Sequence, residues 1–174
     1  MRYLILFGIS LVSVLLGSAV LPVWTVFGIQ LDLVLAAMVS MVLHERTLTP
    51  VFYLAGGSIV MDILFGPGIG FYSVPYFVAG LMVYVFALAK SPVRLMAVPI
   101  VAAVAYLLKE LITAFLTMLL GMGANVGKTL LTYSIPGALL AALLCFGVHF
   151  LFARLYQYNF LRPLAARNKE DFNF

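Results

Sequence analysis

Charged residues are scarce in this chain. Asp, Glu, Lys and Arg together make up 9% of its 174 residues, whereas a soluble domain carries about a quarter charged residues and is close to half apolar. Here 65% of the residues are hydrophobic and the mean hydropathy is +1.17, which is more apolar surface than a globular core can hide. The composition therefore excludes an ordinary soluble domain and indicates a polytopic membrane protein.

Cysteine and the motifs of common catalytic sites are also lacking. Cys145 is the single cysteine, so an internal disulfide is excluded. His44 and His149 are far apart in the sequence and give no metal-ligand spacing. There is no His-Glu-x-x-His or Gly-x-Ser-x-Gly pattern, and Gly127-Lys128-Thr129 supplies only the end of a phosphate-binding loop. We therefore expect no enzyme, no metal and no cofactor. Because the basic residues are spread along the chain, we also expect no nucleic-acid site.

Apolar runs separated by short polar breaks predict six transmembrane helices. At about 20 residues per span they occupy almost the whole chain. The predicted spans are residues 3–21, 29–43, 51–65, 71–89, 95–120 and 130–153, and a basic tail follows at 154–174. The first span also has features of a secretory signal peptide, with Gly17-Ser18-Ala19 as a cleavage-like site. A retained helix is favoured because everything downstream is apolar too.

The basic residues predict the orientation of these spans. With six spans, one side carries eight of the ten Lys and Arg residues and the other side carries only Lys128. The eight are Arg2, Arg46, Lys90, Arg94, Arg154, Arg162, Arg167 and Lys169. Basic residues accumulate in cytoplasmic loops and attract anionic lipid there. We therefore predict an all-α membrane protein, a six-transmembrane-helix bundle with both termini cytoplasmic.

Four Asp, Glu or Lys residues fall within the predicted spans. Asp62, Lys109 and Glu110 are flanked by apolar residues, and Asp32 lies near the outer start of its span. A charge at the bilayer centre costs at least about 2.5–3.5 kcal/mol, so each requires an explanation. Their heights place all four in the outer half of the membrane, with an Asp62–Lys109 ion pair as one arrangement. Lys109 and Glu110 are sequence neighbours, so we expect them to have different partners.

Three interpretations of these charges stay open. They form a buried ion pair that fixes the helix register, a site for a small ligand or ion, or a contact with a partner's transmembrane helix. The sixth span adds Gly137, Ala141 and Cys145 at four-residue spacing, and small residues at that spacing let helices approach closely. Packing within the chain is favoured over a homo-oligomer seam for this stripe.

A glycine–proline turn connects the third and fourth spans. Its residues are Gly66, Pro67, Gly68 and Gly70, and glycines permit the positive φ that a tight reversal between antiparallel spans requires. The predicted topology puts the turn on the outer side, with Asp62 about one helical turn below it. We expect a rigid outer hairpin whose buried carboxylate fixes helix packing.

These segments resemble MreD, the integral membrane subunit of the bacterial rod-shape (elongation) complex. The resemblance is carried by Leu31-Asp32-Leu33, by the stretch from Met61 to Phe71, and by Tyr76 and Gly80. Length, six spans and a short basic tail also fit, so the resemblance covers nearly the whole chain. Gln30 is a departure, because the family often shows a proline-acidic start there.

The resemblance implies a non-enzymatic scaffold in the bacterial cytoplasmic (inner) membrane that helps control cell shape and lateral peptidoglycan synthesis. MreD-like proteins are associated with the bitopic protein MreC, and with the complex that couples MreB filaments to the wall-synthesising glycosyltransferase and transpeptidase. The family is also similar in architecture to the S-components of energy-coupling-factor vitamin transporters. That similarity supplies a second hypothesis, a membrane-embedded solute-binding subunit.

The two hypotheses predict different surfaces. A scaffold should have an apolar groove on a membrane-facing surface, and its polar cluster should be closed or occupied by its own ion pair. A solute-binding subunit should have an outward-open cavity lined by polar and aromatic side chains.

Overall fold

The computed structural model describes residues 2–19, 25–26, 29–89, 97–121 and 133–156. Six helices dominate these residues: α1 (Arg2–Ala19), α2 (Leu33–Glu45), α3 (Thr49–Phe65), α4 (Ser73–Ala89), α5 (Ala97–Leu119) and α6 (Ile135–Leu155). The strands β1 (Thr25–Val26) and β2 (Ile29–Gln30) form a two-residue antiparallel ladder before α2. The helical class predicted from the sequence is confirmed for the described residues. Lys128, the loop at 90–96 and the tail beyond residue 156 lie outside them.

Four of the predicted spans coincide with helices to within two residues at each end; these are the first, third, fourth and fifth. The sixth helix is described from Ile135 to Leu155, and the predicted start of its span at residue 130 lies outside the described residues. The prediction for the second span was wrong at its start, because residues 29–30 belong to the ladder and the helix begins at Leu33. Apolar character alone did not distinguish a short strand from the first turn of a helix.

The shortest helix, α2, lies at the centre of the bundle. Its 13 residues extend about 20 Å at 1.5 Å per residue, which is shorter than the roughly 30 Å of a bilayer's hydrocarbon core. Every residue from Val34 to Leu43 is buried, and α2 contacts each of the other five helices. A helix that is apolar on all sides is stable only when it is surrounded, and here the surroundings are supplied by the rest of the bundle.

The outer helices expose apolar side chains. α5 and α6, with 23 and 21 residues, are long and apolar enough to cross a membrane, whereas α2, α3 and α4 are apolar but shorter. Ile100 on α5 is 66% exposed and Leu139 on α6 is 70% exposed. Contiguous apolar surface of this kind is unusual on a soluble monomer and marks a surface that contacts lipid or another protein.

The two ends of the bundle are chemically distinct. One end brings Gly17 of α1 and Met61 of α3, both near the ends of their helices, beside Asp32 and Tyr72, which precede α2 and α4. The first four helices therefore alternate in direction. Residues from the middle of α5 and Tyr133, just before α6, join the same end. This end contains both of the polar clusters described below.

Candidate functional site

The first polar cluster is the Asp62 turn, defined as Asp62 together with residues 66–73. Asp62 is 2% exposed in the last turn of α3. Its Oδ2 accepts hydrogen bonds from the Gly70 N–H at 2.9 Å and from the Ser73 hydroxyl at 2.6 Å, and its Oδ1 accepts one from the Tyr72 N–H. Hydrogen bonds to an ionised acceptor are stronger than neutral ones. The carboxylate therefore closes the connection between α3 and α4.

The glycines of this turn have different roles. Gly70 has a φ of 102°, a conformation that L side chains rarely adopt. Gly66 has a φ of −81°, a backbone conformation that any residue can adopt. A side chain is excluded there for a different reason, because a Cβ would lie 2.6 Å from the Asp62 carbonyl oxygen. Gly68 faces open space. The prediction that positive φ explains the glycine pattern is thus correct at Gly70 and wrong at Gly66 and Gly68. Pro67 follows the residue that caps α3.

Gly80 is a packing residue of α4. A Cβ at this position would lie 2.8 Å from the Met38 Sδ and 2.8 Å from the Val51 Cγ1. Because Gly80 carries a hydrogen in place of a side chain, α4 can approach α2 and α3 this closely. The resemblance marked Gly80 without giving it a role, and the structure assigns it to the contact among these three helices.

Asp32 caps the N-terminus of α2. Its Oδ1 accepts hydrogen bonds from the Leu35 N–H at 2.9 Å and from the Tyr76 hydroxyl at 2.9 Å. An aspartate before the first helical residue is a preferred N-cap because its oxygen satisfies a backbone N–H that has no partner inside the helix. The predicted span placed Asp32 inside the helix near its start, whereas the helix begins one residue after it. An Asp immediately before an apolar helix was the signal that would have corrected it.

Lys109 connects Asp32 to α5. Its ammonium lies 2.8 Å from the Asp32 Oδ2 and 3.1 Å from the Glu110 Oε1. It also lies 4.9 Å from the ring centroid of Tyr106 and 5.5 Å from that of Tyr76, where the aromatic faces attract a cation. We call these five residues the lysine cluster. It joins α2, α4 and α5 through one charged centre.

The structure decides the arrangement that the sequence left open for Asp62 and Lys109, and it corrects the expectation that Lys109 and Glu110 have different partners. The Asp62–Lys109 pair does not form, because both Asp62 oxygens accept hydrogen bonds from the following turn and Lys109 pairs with Asp32 instead. The height of a residue along its helix does not give the direction in which its side chain points. Lys109 and Glu110 do interact, although their Cβ atoms diverge around the helix, because the long lysine side chain brings its ammonium back to the carboxylate.

A partly open cavity of about 260 Å³ lies against the lysine cluster. Its walls come from the ends of α1 and α3, the starts of α2 and α4, the middle of α5 and the segment before α6. The lining residues are Gly17, Leu31, Asp32, Leu33, Val34, Met61, Tyr72, Tyr76, Tyr106, Lys109, Glu110 and Tyr133. Four tyrosines and three charged groups thus surround one space, in a bundle that is otherwise apolar.

The small residues of α6 pack within the chain. Gly137, Ala141 and Cys145 are all buried, and α6 contacts both α5 and α2. A Cβ on Gly137 would lie 2.5 Å from the Tyr106 hydroxyl oxygen, and the Cys145 thiol points at the Ala36 carbonyl oxygen at 3.8 Å. The three residues of this stripe are therefore buried within the single chain. The absence of a side chain at Gly137 also leaves room for Tyr106, which lines the cavity.

At the other end of the bundle, the fold joins two histidines that the sequence separates. The rings of His44 and His149 are 4.4 Å apart, and the ring of Tyr156 stacks on His44 at 4.9 Å. The His44 Nδ1 pairs with the Ser40 carbonyl oxygen at 2.8 Å. The separation of His44 and His149 in the sequence gave no indication of this contact, because sequence separation does not determine the distance between packed helices. No group of three His, Cys, Asp or Glu side chains suited to a metal occurs in the part of the chain that the structure describes.

No protein-family model matches this chain, and neither a curated protein nor a solved structure matches it. The described hydrogen bonds to the Asp62 carboxylate all come from residues of its own turn, which suits a structural role. The lysine cluster combines helix-to-helix ion pairing with a cavity, which suits both packing and recognition.

Proposed function

We propose that this chain is a non-enzymatic integral membrane scaffold of the MreD type, with six spans, in the bacterial cytoplasmic membrane. Both termini are cytoplasmic in this proposal, and the scaffold binds MreC and thereby helps control cell shape and lateral peptidoglycan synthesis. The contacts with MreB filaments and the wall-synthesising enzymes are indirect. The resemblance at the Asp62 turn and the excess of basic residues on one predicted side support this reading.

The observation that carries the proposal is an apolar groove between α4 and α5. It has a volume of about 350 Å³ and is lined by Met82, Phe86, Ala97, Ile100, Val101 and Val104. Ile100 is 66% exposed and Val104 48% exposed, so the groove faces outward. An apolar groove without charged groups fits the side chains of one transmembrane helix, since such helices associate by close van der Waals packing.

The pairing inside the bundle also favours the scaffold. Lys109 and Asp32 neutralise one another at 2.8 Å, as expected for a polar cluster occupied by its own ion pair. The second candidate, a solute-binding subunit, is favoured by a different observation, the tyrosine-lined cavity beside that pair. The two candidates differ in what they assemble with, an MreC-type bitopic protein or an ATPase coupling module.

Capture of the tagged full-length chain from its native membrane, followed by mass spectrometry, tests the proposal. We expect recovery of MreC. A matched pair of variants locates the contact: Ile100→Trp fills the groove, whereas Leu139→Trp places the same side chain on α6, at a position with similar exposure. The first should reduce recovery of MreC and the second should not. Recovery of an ATPase coupling module in place of MreC would refute the scaffold and support the solute-binding subunit.

A further inference from the structure

The cavity at the lysine cluster is lined by more negative than positive charge. Asp32 and Glu110 contribute two carboxylates and Lys109 one ammonium, so two negative charges and one positive charge leave a net charge of −1. Asp32 is already satisfied by the Leu35 N–H, the Tyr76 hydroxyl and Lys109. The excess negative charge therefore belongs to Glu110.

Glu110 is the accessible carboxylate of the two. Its side chain is 29% exposed, whereas that of Asp32 is 6% exposed. Its Oε1 lies 3.1 Å from the Lys109 ammonium, a longer contact than the one Lys109 makes with Asp32. An excess charge that stays partly uncompensated in a low-dielectric setting favours a cation there far more strongly than it would in water.

Aromatic side chains complete the wall. Tyr72, Tyr106 and Tyr133 line the cavity together with Glu110, and tyrosine offers both a ring face that attracts cations and a hydroxyl that accepts a hydrogen bond. Aromatic rings around a carboxylate are a recurring way to hold an organic ammonium group. The volume of about 260 Å³ is just below the 300–1,000 Å³ typical of sites for drug-sized ligands, so it suits a small group.

We propose that this cavity binds a small organic ammonium group, with Glu110 as its counter-charge and the tyrosines as its wall. Two sources carry that chemistry: a free amine, or the ethanolamine headgroup of a membrane lipid whose acyl chains stay outside the cavity. The inference rests on the cavity alone, so it holds whether the chain assembles with MreC or with another partner.

The test uses the purified full-length chain in nanodiscs of phosphatidylglycerol, a lipid without an ammonium group. Ethanolamine hydrochloride is added in one arm, with sodium chloride at equal ionic strength as its reference. In the other arm, phosphatidylethanolamine replaces part of the phosphatidylglycerol. Thermal unfolding is followed for the wild type, for Glu110→Gln and for Glu170→Gln, which makes the same charge change in the predicted tail. The arm that raises Tm identifies the source of the ammonium group.

We expect one probe to raise the Tm of the wild type and of Glu170→Gln, and its half-maximal concentration to rise about tenfold or more in Glu110→Gln, since charge-assisted hydrogen bonds are among the stronger ones. The proposal is overturned if neither probe stabilises the wild type, if sodium chloride gives the same shift, or if Glu110→Gln responds as the wild type does. Should Glu110→Gln not fold, Tyr133→Leu replaces it, because Tyr133 is 50% exposed; an unchanged response in that variant equally overturns the proposal.

Discussion

The Asp62 turn and the lysine cluster each bury an aspartate at the same end of the bundle, but they satisfy it differently. The partners of Asp62 lie eight to eleven residues further along the chain, and three of the four donors are backbone N–H groups. Two of the partners of Asp32 are side chains 44 and 77 residues away, on α4 and α5. One carboxylate shapes a connection, and the other joins helices.

This difference separates two uses of a buried charge. The Asp62 turn is self-contained, so its carboxylate contributes to the stability of the α3–α4 hairpin. The lysine cluster contains a second carboxylate that its single ammonium leaves partly uncompensated, and that carboxylate lines a cavity. Changes at the first cluster should alter stability alone, whereas changes at the second should alter stability together with ammonium binding.

The largest effect is expected for Lys109→Met. The substitution keeps a long apolar side chain but removes the only cation of the lysine cluster, so Asp32 and Glu110 are left uncompensated. Breaking a buried ion pair by removing one partner costs about 3–5 kcal/mol. We expect a loss of this size in the free energy of unfolding, measured by denaturation of the full-length chain in one fixed detergent.

Adding Asp32→Asn to Lys109→Met provides the control. The double variant should recover part of the loss, because the more buried of the two uncompensated carboxylates is then neutral while Asn still serves as an N-cap. Wild-type stability in Lys109→Met would contradict the assignment of Lys109 as the charge that holds α2 and α5 together.

Asp62→Asn is expected to have the next largest effect. The amide keeps one acceptor oxygen and replaces the other with an NH₂ group. Some of the donors on Gly70, Tyr72 and Ser73 therefore lose the oxygen that accepts their hydrogen bonds. Hydrogen bonds to charged groups contribute about 1.5–3 kcal/mol each, and we expect a loss of about 2 kcal/mol in the same unfolding measurement. Ammonium binding should be unchanged, which distinguishes this cluster from the other.

Ser73→Ala is the matched control for the Asp62 turn. It removes the hydroxyl that donates to Asp62 at 2.6 Å but retains the backbone donors, so its cost should stay near about 1.5 kcal/mol, the lower end for one hydrogen bond to a charged group. A larger loss in Ser73→Ala than in Asp62→Asn would show that the turn does not depend on the carboxylate.

Gly137→Ala is expected to cost about 1–3 kcal/mol, the usual range for overpacking a well-packed interior. The new Cβ would lie 2.5 Å from the Tyr106 hydroxyl oxygen, so the Tyr106 ring must shift from its position beside Lys109. Gly147→Ala on the same helix has nothing within 4 Å and should stabilise by about 0.5–1 kcal/mol, as replacing a mid-helix glycine does. Equal unfolding energies for the two variants would contradict this contact.

The smallest effect is expected for Gly70→Ala. At a φ of 102°, a Cβ introduces backbone strain of about 1–2 kcal/mol. Gly68→Ala, two residues earlier in the same turn and in open space, should be close to neutral. Thermal unfolding of the two variants side by side measures the difference, and a cost at Gly68 equal to that at Gly70 would show that φ is not the reason for the glycine.

The helices were largely predictable because their apolar runs are long and their breaks are polar. The start of α2 was not, because a ladder of two residues is too short to show a strand pattern in the sequence and because the predicted span included Asp32, which is the N-cap of the helix. The charged residues of the candidate site could be marked from the sequence, but their pairing and most of the tyrosines beside them could not. Asp32, Lys109 and Glu110 were marked by the cost of burying charge, yet their partners depend on how α2, α4 and α5 rotate against one another.

The sequence by itself determined the apolar helical character of this chain, the approximate limits of most helices and which residues are costly to bury. These follow from local chemistry: composition, the length of apolar runs and the positions of charge. Only the tertiary structure decided that Asp62 closes its own turn, that Lys109 pairs with Asp32, and that His44 meets His149. The physical reason is that these contacts depend on the direction of side chains around packed helices, which the order of residues along one helix does not specify.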